Sequence, residues 1–184
     1  EPTHFKEVYL PDSSILYEKE QDSRKYTKEY KQTVQRMLAN FDSKYTHYSK
    51  RHEKVYFSRK NIFQNGREWG EYVIEKCFQQ MGYEIISPEK LPMVEQIAIL
   101  RNCKCFATTE GSISHNVIFC RANTNVVIVR KVNRLNYHQL IINDVAEVDV
   151  TYIDANVSYV YDETQPLDGP FYLCQNKNLE NYSH

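Results

Sequence analysis

The apolar residues of the chain follow two different periodicities. Short apolar runs bounded by Gly, Pro or polar residues predict strands. Longer segments carry apolar residues three and four positions apart, the repeat that places side chains on one face of a helix. In the first of these segments, residues 24–49, that face consists of Tyr30, Val34, Met37, Leu38 and Phe41. We expect it to pack on a sheet.

The two patterns alternate along the chain. The predicted strands are 5–10, 54–59, 83–86, 103–108, 126–129 and 148–153; the predicted helices are 24–49, 68–81, 92–102, 112–121 and 137–143. Residues 13–22 predict a loop, and a closing helix is expected from Asp168 onward. Gly82 stands where a helix C-cap belongs, and Pro92 where a helix can begin. Strands that alternate with helices predict a parallel sheet with helices on both faces, a Rossmann-like α/β fold in a single domain over residues 1–184.

Composition and charge narrow the choice of partners. The 184 residues include 23 Lys and Arg and 24 Asp and Glu, for a formal net charge of -1. No broad positive field would attract a phosphate polymer, so we expect no nucleic-acid partner. No apolar run could span a bilayer and the first residues lack a signal-peptide pattern, which favours a soluble, cytoplasmic domain. The five cysteines lie mostly in apolar segments, as buried free thiols do.

The segment 110–116 is the most informative candidate for binding a ligand. It follows the predicted strand 103–108, and open α/β sheets bind ligands beyond the carboxyl ends of their strands. Gly111 permits a sharp turn, while Ser112 and Ser114 can cap the following helix. Free N–H groups at such a helix start could hold a diphosphate. A well-capped turn without a ligand explains the same residues, and the segment is neither a G-x-G-x-x-G nor a Walker loop.

Four further side chains are candidates for ligand contacts. Arg59 at a strand end could bind a phosphate through two hydrogen bonds, and Glu95 and Gln96 in a first helical turn could bind ribose or base. His115 near a helix start could act as a neutral imidazole. A surface arginine, an ordinary acidic first turn and a capping-turn histidine are the structural alternatives. No carboxylate pair lies on a loop, so we expect binding without a metal or a cofactor.

The order and spacing of several short motifs resemble the C-terminal part of glycosyltransferase family 61, especially its bacterial polysaccharide-synthesis branch. The motifs are Tyr56-Phe57-Ser58-Arg59, Gly70-Glu71 ahead of residues 82–86, Pro88-Glu89, Glu95-Gln96-Ile97, residues 111–116 with Phe119, and residues 126–129. The resemblance implies the nucleotide-sugar-binding, C-terminal domain of a two-domain GT-B-type enzyme. The acceptor domain would be absent from residues 1–184, and the chain could be inactive without it.

The resemblance also implies the chemistry and its residues. It assigns the nucleotide sugar to Arg59, Glu95, Gln96, Gly111, Ser112, Ser114 and Asn116. It implies an inverting, metal-independent transfer of a hexosyl or similar group to a glycan or lipid-linked saccharide in capsule or polysaccharide assembly, with peripheral membrane association through a partner domain. Glu110 and His115 depart from the eukaryotic pattern, which has His before the glycine and Thr before the asparagine. These two residues are candidates for the base that removes the acceptor proton, and the acceptor domain is the alternative source of that base.

Two other functions stay open at this point. The first is a non-catalytic nucleotide-binding or protein-interaction module derived from such an enzyme, which the presence of Glu110 beside a diphosphate would favour. The second is a hydrolase or phosphotransferase with Ser112 or Ser114 as nucleophile beside His115. The turn lacks the G-x-S-x-G pattern of a nucleophile elbow, and no acidic partner for the histidine can be assigned.

Overall fold

Strands and helices alternate in the computed structural model, which describes residues 4, 6–9, 13–18, 23–45, 52–62, 68–134, 136–157 and 169–183. The elements are β1 (Ile15–Glu18), β2 (Ser23–Tyr26), α1 (Lys28–Lys44), β3 (Lys54–Phe57), β4 (Glu68–Trp69), α2 (Glu71–Gln80), β5 (Glu84–Ile86), α3 (Met93–Asn102), β6 (Cys105–Thr109), β7 (Asn125–Arg130), α4 (Tyr137–Ala146), β8 (Val150–Asp154), β9 (Phe171–Tyr172) and α5 (Lys177–Ser183). Two 3₁₀ helices, Pro88–Lys90 and Ser112–Phe119, lie before α3 and after β6.

The central sheet contains five strands in the order β5-β3-β6-β7-β8, and every neighbouring pair is parallel. Strands β3, β6 and β7 are mostly apolar because both faces of the sheet are covered. Val55 and Phe106 pack with α3 and the 3₁₀ helix Ser112–Phe119 on one face. Tyr56 and Ala107 pack with α2 and α5 on the other. The predicted Rossmann-like α/β fold is confirmed.

The predicted strands of this sheet are confirmed to within two residues at each end. The helix predicted over 92–102 is α3, and the one predicted over 137–143 continues to Ala146. Residues 112–119 form a 3₁₀ helix. Gly82 has a φ of +84° and donates its N–H to the carbonyl of Gln79, as the predicted C-cap requires.

The predictions for the N-terminal segment are wrong in three places. Residues 6–9 form no strand, and Val8 and Tyr9 are 63% and 80% exposed, so apolar character alone does not produce a strand there. Phe5 and Leu10 lie outside the described residues. The predicted loop 13–22 contains β1, which pairs antiparallel with β2, so α1 begins only at Lys28 behind the N-cap Thr27.

Helix α1 packs on α4 and on the two-stranded β1–β2 sheet, and not on the central sheet. Val34 lies in a cluster with Ile141 and Val145 of α4, and residues of β1 and β2 pack against this cluster. Met37, which was expected on the inner face, is exposed. The spacing of three and four residues does form a helix, but this helix contacts α4, whose Ile142 and Ala146 pack on the core of the central sheet.

A small two-stranded sheet is formed where the first residues of two helices were predicted. Strand β4 occupies the start of the helix predicted over 68–81, which begins at Glu71. It pairs in parallel with β9, where the closing helix was expected. That helix is α5 and begins at Lys177, while Asp168 lies outside the described residues.

The cysteines are free, as expected. Cys77, Cys103 and Cys120 are buried, and Cys105 and Cys174 are half-buried. No group of metal-ligating side chains is found in the described part of the chain.

Candidate functional site

The turn at Gly111 lies at the carboxyl end of β6 and starts the 3₁₀ helix Ser112–Phe119. Ser114 donates its backbone N–H to the Gly111 carbonyl at 3.0 Å. The Ser114 hydroxyl accepts the N–H of Gly111 at 3.2 Å and lies 2.7 Å from its carbonyl oxygen. Ser114 is fully buried, so its side chain holds the turn from the inside.

A buried polar network fixes this turn to α4 and β8. The Gln139 amide donates to the Ser114 carbonyl at 3.1 Å and to Asn143 Oδ1 at 2.8 Å. The Ser114 hydroxyl lies 2.6 Å from Gln139 Oε1, and the Asn143 amide donates to the Tyr152 hydroxyl at 2.8 Å. Burial raises the pKa of Tyr152, which therefore stays neutral. Two amide residues four positions apart on one face of α4 were the sequence signal for this network.

Two cationic side chains converge on Gly111. Arg59 follows β3 and Lys131 follows β7, the strands on either side of β6. A Cβ built on Gly111 would lie 2.1 Å from Arg59 Nη1 and 3.5 Å from Lys131 Nζ. Only glycine therefore leaves room for the guanidinium, and its φ of +138° is also one that other residues rarely adopt. The sequence predicted Arg59 and Gly111 as site residues, and the structure brings them together.

Glu68 balances the charge of these cations. Its Oε1 lies 2.7 Å from Lys131 Nζ and 3.6 Å from Arg59 Nη2, and the Glu68 and Lys131 side chains are only 10% and 9% exposed. The Lys131 ammonium also lies 4.7 Å from the centre of the Phe171 ring. Burial lowers the pKa of Lys131, and Glu68 acts in the opposite direction. The sequence reasoning missed both residues, although Lys131 directly follows a predicted strand at the same sheet edge as Arg59.

Glu110 lies beside this group and is buried. Its Oε2 accepts the backbone N–H of Lys131 at 3.4 Å. Burial raises the pKa of Glu110, and the nearby positive charges of Arg130 and Lys131 only partly oppose this. The carboxyl group can therefore hold a proton at a higher pH than an exposed glutamate does.

The N-terminal end of the 3₁₀ helix offers free donors. Ser112 is exposed, and the N–H groups of Ser112 and Ile113 have no acceptor among the described residues. His115 is half-buried, and its Nε2 atom is buried and has no hydrogen-bond partner among the described residues. Burial lowers the pKa of His115, which favours the neutral imidazole. The Asn116 side chain makes no hydrogen bond to a described residue.

Glu95 and Gln96 lie apart from this cluster. The Gln96 amide donates to the carbonyls of Pro88 and Leu91 at 2.9 and 3.0 Å, which ties α3 to the preceding 3₁₀ helix. Glu95 lines a cavity of about 200 Å³ along the edge strand β5, together with His52, Glu84, Ile86, Leu91, Ala98 and Ile99. No described contact joins Glu95 or Gln96 to Arg59 or Gly111.

A further buried carboxyl group, that of Glu71, binds the backbone of Arg59. Glu71 is 2% exposed, and its Oε1 accepts the Tyr56 hydroxyl at 2.7 Å and the Arg59 backbone N–H at 3.3 Å. Ser58 donates its hydroxyl to Glu75 at 2.5 Å. Burial raises the pKa of Glu71. Segments 56–59 and 70–71 are therefore joined to each other by the hydrogen bonds of Glu71.

Comparison with known proteins gives one family. The model of the family described as Glycosyltransferase 61 matches residues 4–127, which is more than half of the chain and includes Arg59, Glu71 and Gly111. No curated protein matches the chain significantly. Within the described residues no helix combines the length and apolar character needed to cross a membrane. Because the family model matches more than half of its residues, the chain belongs to the glycosyltransferase 61 family and is a glycosyltransferase by that membership.

Proposed function

We propose that the chain binds the diphosphate of a nucleotide sugar at the Gly111 turn and presents the sugar for inverting transfer to a glycan or lipid-linked saccharide. One observation carries this proposal: Arg59 and Lys131, from two different strand ends, point at the same glycine. Convergent cations at the carboxyl edge of a parallel sheet are the arrangement that a diphosphate needs.

The charges of the site fit an anion better than a neutral ligand. Arg59 offers a planar fork of donors, and Lys131 offers a compact charge whose pKa burial has lowered. Without a ligand, the carboxyl groups of Glu68 and Glu110 supply the favourable charge interactions of Lys131. A phosphate beside Lys131 would add a further one. The free N–H groups of Ser112 and Ile113 add uncharged donors at a helix start.

The remaining predicted residues take supporting roles in this proposal. Ser114 shapes the turn, and Asn116 brings an unpaired amide. Glu95 and Gln96 are the residues assigned to the base and ribose, and Glu95 lines the cavity along β5. Both amide hydrogens of Gln96 are already donated, so its Oε1 is the atom left for a ligand.

The chemistry follows from the same groups. A base takes the proton of the acceptor hydroxyl while its oxygen attacks the anomeric carbon, and the bond from that carbon to the diphosphate oxygen breaks. Arg59 and Lys131 stabilise the negative charge that develops on the leaving diphosphate, the task that a divalent metal has in other transferases. Glu110, with its raised pKa, and neutral His115 are the two candidates for the base.

A non-catalytic module is the second candidate, and one observation favours it. Glu68 already neutralises Lys131 at 2.7 Å, as a structural ion pair would. A hydrolase with Ser114 as nucleophile has less support, since that hydroxyl is buried and bonded inside the turn.

Thermal unfolding against UDP, GDP, CDP, ADP, CMP and their sugars tests the proposal. A ligand at about 100 times its Kd stabilises a domain by roughly 2.7 kcal/mol. We expect one nucleotide class to stabilise the protein, the effect to be lost in Arg59→Ala and weakened in Asn116→Ala, and to persist in Lys60→Ala, the matched exposed neighbour. No stabilisation by any nucleotide would reject donor binding. Stabilisation without formation of any glycosylated product from a glycan panel would favour the non-catalytic module.

A further inference from the structure

Glu68 places a negative charge inside the proposed site for an anion. Its Oε1 lies 2.7 Å from Lys131 Nζ and 3.6 Å from Arg59 Nη2, the two cations that converge on Gly111. The side chain is only 10% exposed, and its Oε2 is buried without a hydrogen-bond partner among the described residues. A carboxylate in this position repels any anion that binds the same cations. Its effect on a ligand therefore depends on how much negative charge the ligand carries.

The backbone fixes this carboxylate in place. Glu68 pairs with Phe171 in the register of the β4–β9 sheet, and the side chains of both residues contact Lys131. At the next position, Leu173 donates its N–H to the Trp69 carbonyl at 2.9 Å. Because the strand is held by these contacts, the backbone cannot carry Glu68 away from Lys131 unless the small sheet opens. A bound diphosphate therefore meets the two cations and the carboxylate together.

The charged side chains that interact with Glu110 and Lys131 add no net positive charge. Arg130 is paired with Asp154, whose Oδ1 lies 3.1 Å from the arginine Nη1. Burial raises the pKa of Glu110, which adds a further negative charge whenever it is ionised. Arg59 and Lys131 are opposed by Glu68, so the group holds at most one net positive charge.

The substrate and the product of the proposed transfer differ in charge. Each phosphate of a nucleotide sugar has one ionised oxygen, because the other acid group is esterified, so the diphosphate carries about two negative charges. The nucleoside diphosphate that leaves has a terminal phosphate with a second pKa of about 6, so it carries about three negative charges above pH 7. We propose that Glu68 is a specificity-determining residue that favours the nucleotide sugar over the nucleoside diphosphate.

The physical reason is the third charge of the product. Without Glu68, the Arg59 and Lys131 cations would attract the more negative nucleoside diphosphate more strongly than the nucleotide sugar, and the product would leave slowly. With Glu68 present, repulsion of the third charge offsets that additional attraction. The inference rests on the proposed function, because it requires a diphosphate at Arg59 and Lys131.

Isothermal titration calorimetry at pH 8 tests this role with UDP, GDP, CDP and ADP, each compared with its β-methyl ester. The ester keeps the base, the ribose and both phosphates, and like a nucleotide sugar it lacks the third charge. For the wild-type protein we expect the Kd of the free diphosphate and that of its ester to agree within about twofold. Glu68→Gln keeps an oxygen for Lys131 but removes the charge. In this variant the free diphosphate should bind at least fivefold more tightly than its ester.

The control variant is Glu53→Gln, which removes one exposed carboxylate just before the amino end of β3. It should keep the wild-type ratio of the two Kd values. A wild-type protein that binds the free diphosphate more than twofold more tightly than its ester would overturn the inference without any variant. The same ratio in Glu68→Gln and wild type, with folding verified by circular dichroism, would also overturn it and would make Glu68 a partner of Lys131 in the fold alone. No binding of any of these ligands by either protein would instead reject the diphosphate site, and with it the proposed function.

Discussion

The guanidinium of Arg59 occupies the space that a side chain on Gly111 would need. A Cβ at position 111 would lie 2.1 Å from Nη1, which is well inside van der Waals contact, whereas the backbone around it leaves that space open. Nη1 is the far end of a flexible side chain, so Arg59 could move away. A substitution there should therefore harm the site more than the fold.

Gly111→Ala is the sharpest test of this relationship. The φ of +138° makes alanine strained, and we expect a loss of about 1–2 kcal/mol in the free energy of unfolding. Because the new methyl group displaces Arg59, we also expect nucleotide affinity to fall at least tenfold. Urea denaturation and nucleotide titration measure the two effects separately.

Gly82→Ala is the matched control for that variant. Gly82 also has a positive φ, of +84°, but a Cβ there would meet nothing within 4 Å. The positive φ should lower the stability of Gly82→Ala as well, while nucleotide affinity stays at the wild-type value. If Gly111→Ala bound nucleotides as tightly as Gly82→Ala, the position of Arg59 would not matter for binding.

Lys131→Met should destabilise the protein because it leaves the buried Glu68 carboxylate without its nearest cation. Breaking a buried ion pair typically costs about 3–5 kcal/mol. We expect the lower end of that range, since Arg59 Nη2 remains 3.6 Å from Glu68. The double variant Lys131→Met with Glu68→Gln should recover much of the stability. Urea denaturation measures both.

Nucleotide binding distinguishes a functional ion pair from a structural one in the same variants. Both the single and the double variant lack the Lys131 cation, so both should lose stabilisation by nucleotides even where the fold is recovered. A double variant that is stable and still binds nucleotides normally would show that Lys131 serves the fold alone.

The central sheet was predictable because its strands are buried on both faces and therefore read as continuous apolar runs. Strands β4 and β9 were not, because each has two residues and its partner lies about a hundred positions away, so no local period exists. Strands β1 and β2 pair outside the central sheet, and their antiparallel pairing also leaves no periodic signal in the sequence. Helical spacing in residues 24–49 identified a helix but not which surface it would meet.

The site was predictable where strand ends determine it. Arg59 and Gly111 follow adjacent parallel strands, so their proximity follows from the topology. Lys131 follows the next strand and obeys the same rule. Glu68 reaches the site only through the unpredicted small sheet. Glu95 was named for its place in the first turn of a predicted helix, which carries no information on its distance from Gly111, and it lines a cavity along β5.

Glu71→Gln should change the pH dependence of stability. Burial raises the pKa of Glu71 above its usual 4.5, so the folded state holds the proton to a higher pH than the unfolded state. The free energy of unfolding therefore falls as pH rises from about 4.5 through the folded-state pKa. Glutamine keeps an oxygen for Tyr56 and Arg59 without the charge, so the variant should gain stability relative to wild type as pH rises. Urea denaturation from pH 4 to pH 8 measures this gain.

Two further variants complete that test. Glu110 has a raised pKa for the same reason, so adding Glu110→Gln should flatten the pH dependence further. Glu71→Ala leaves the buried Tyr56 hydroxyl without its acceptor and should be about 1–3 kcal/mol less stable than Glu71→Gln at every pH, since neither variant has the titrating carboxyl group. A wild-type pH profile in Glu71→Gln would mean that the carboxyl group ionises in the folded protein as it does in the unfolded chain.

Asp42→Asn should loosen α1, with the opposite dependence on pH. Asp42 accepts hydrogen bonds from Arg101, whose Nε lies 2.9 Å from Oδ1, and Arg101 also donates to the carbonyls of Phe119 and Cys120. The Arg101 guanidinium lowers the pKa of Asp42, so its stabilisation is present above about pH 4 and is lost as pH falls through the folded-state pKa. Because Asp42 is partly exposed, we expect Asn to cost about 1 kcal/mol at pH 7 in urea denaturation, and progressively less as pH falls through the folded-state pKa of Asp42. Glu53→Gln is the control, because it removes an exposed ion pair: the Glu53 and Lys104 side chains are 66% and 74% exposed. This variant should cost less than about 0.5 kcal/mol. Equal losses in the two variants at pH 7 would mean that the apolar contacts of Val34, and not the Asp42–Arg101 pair, hold α1 in place.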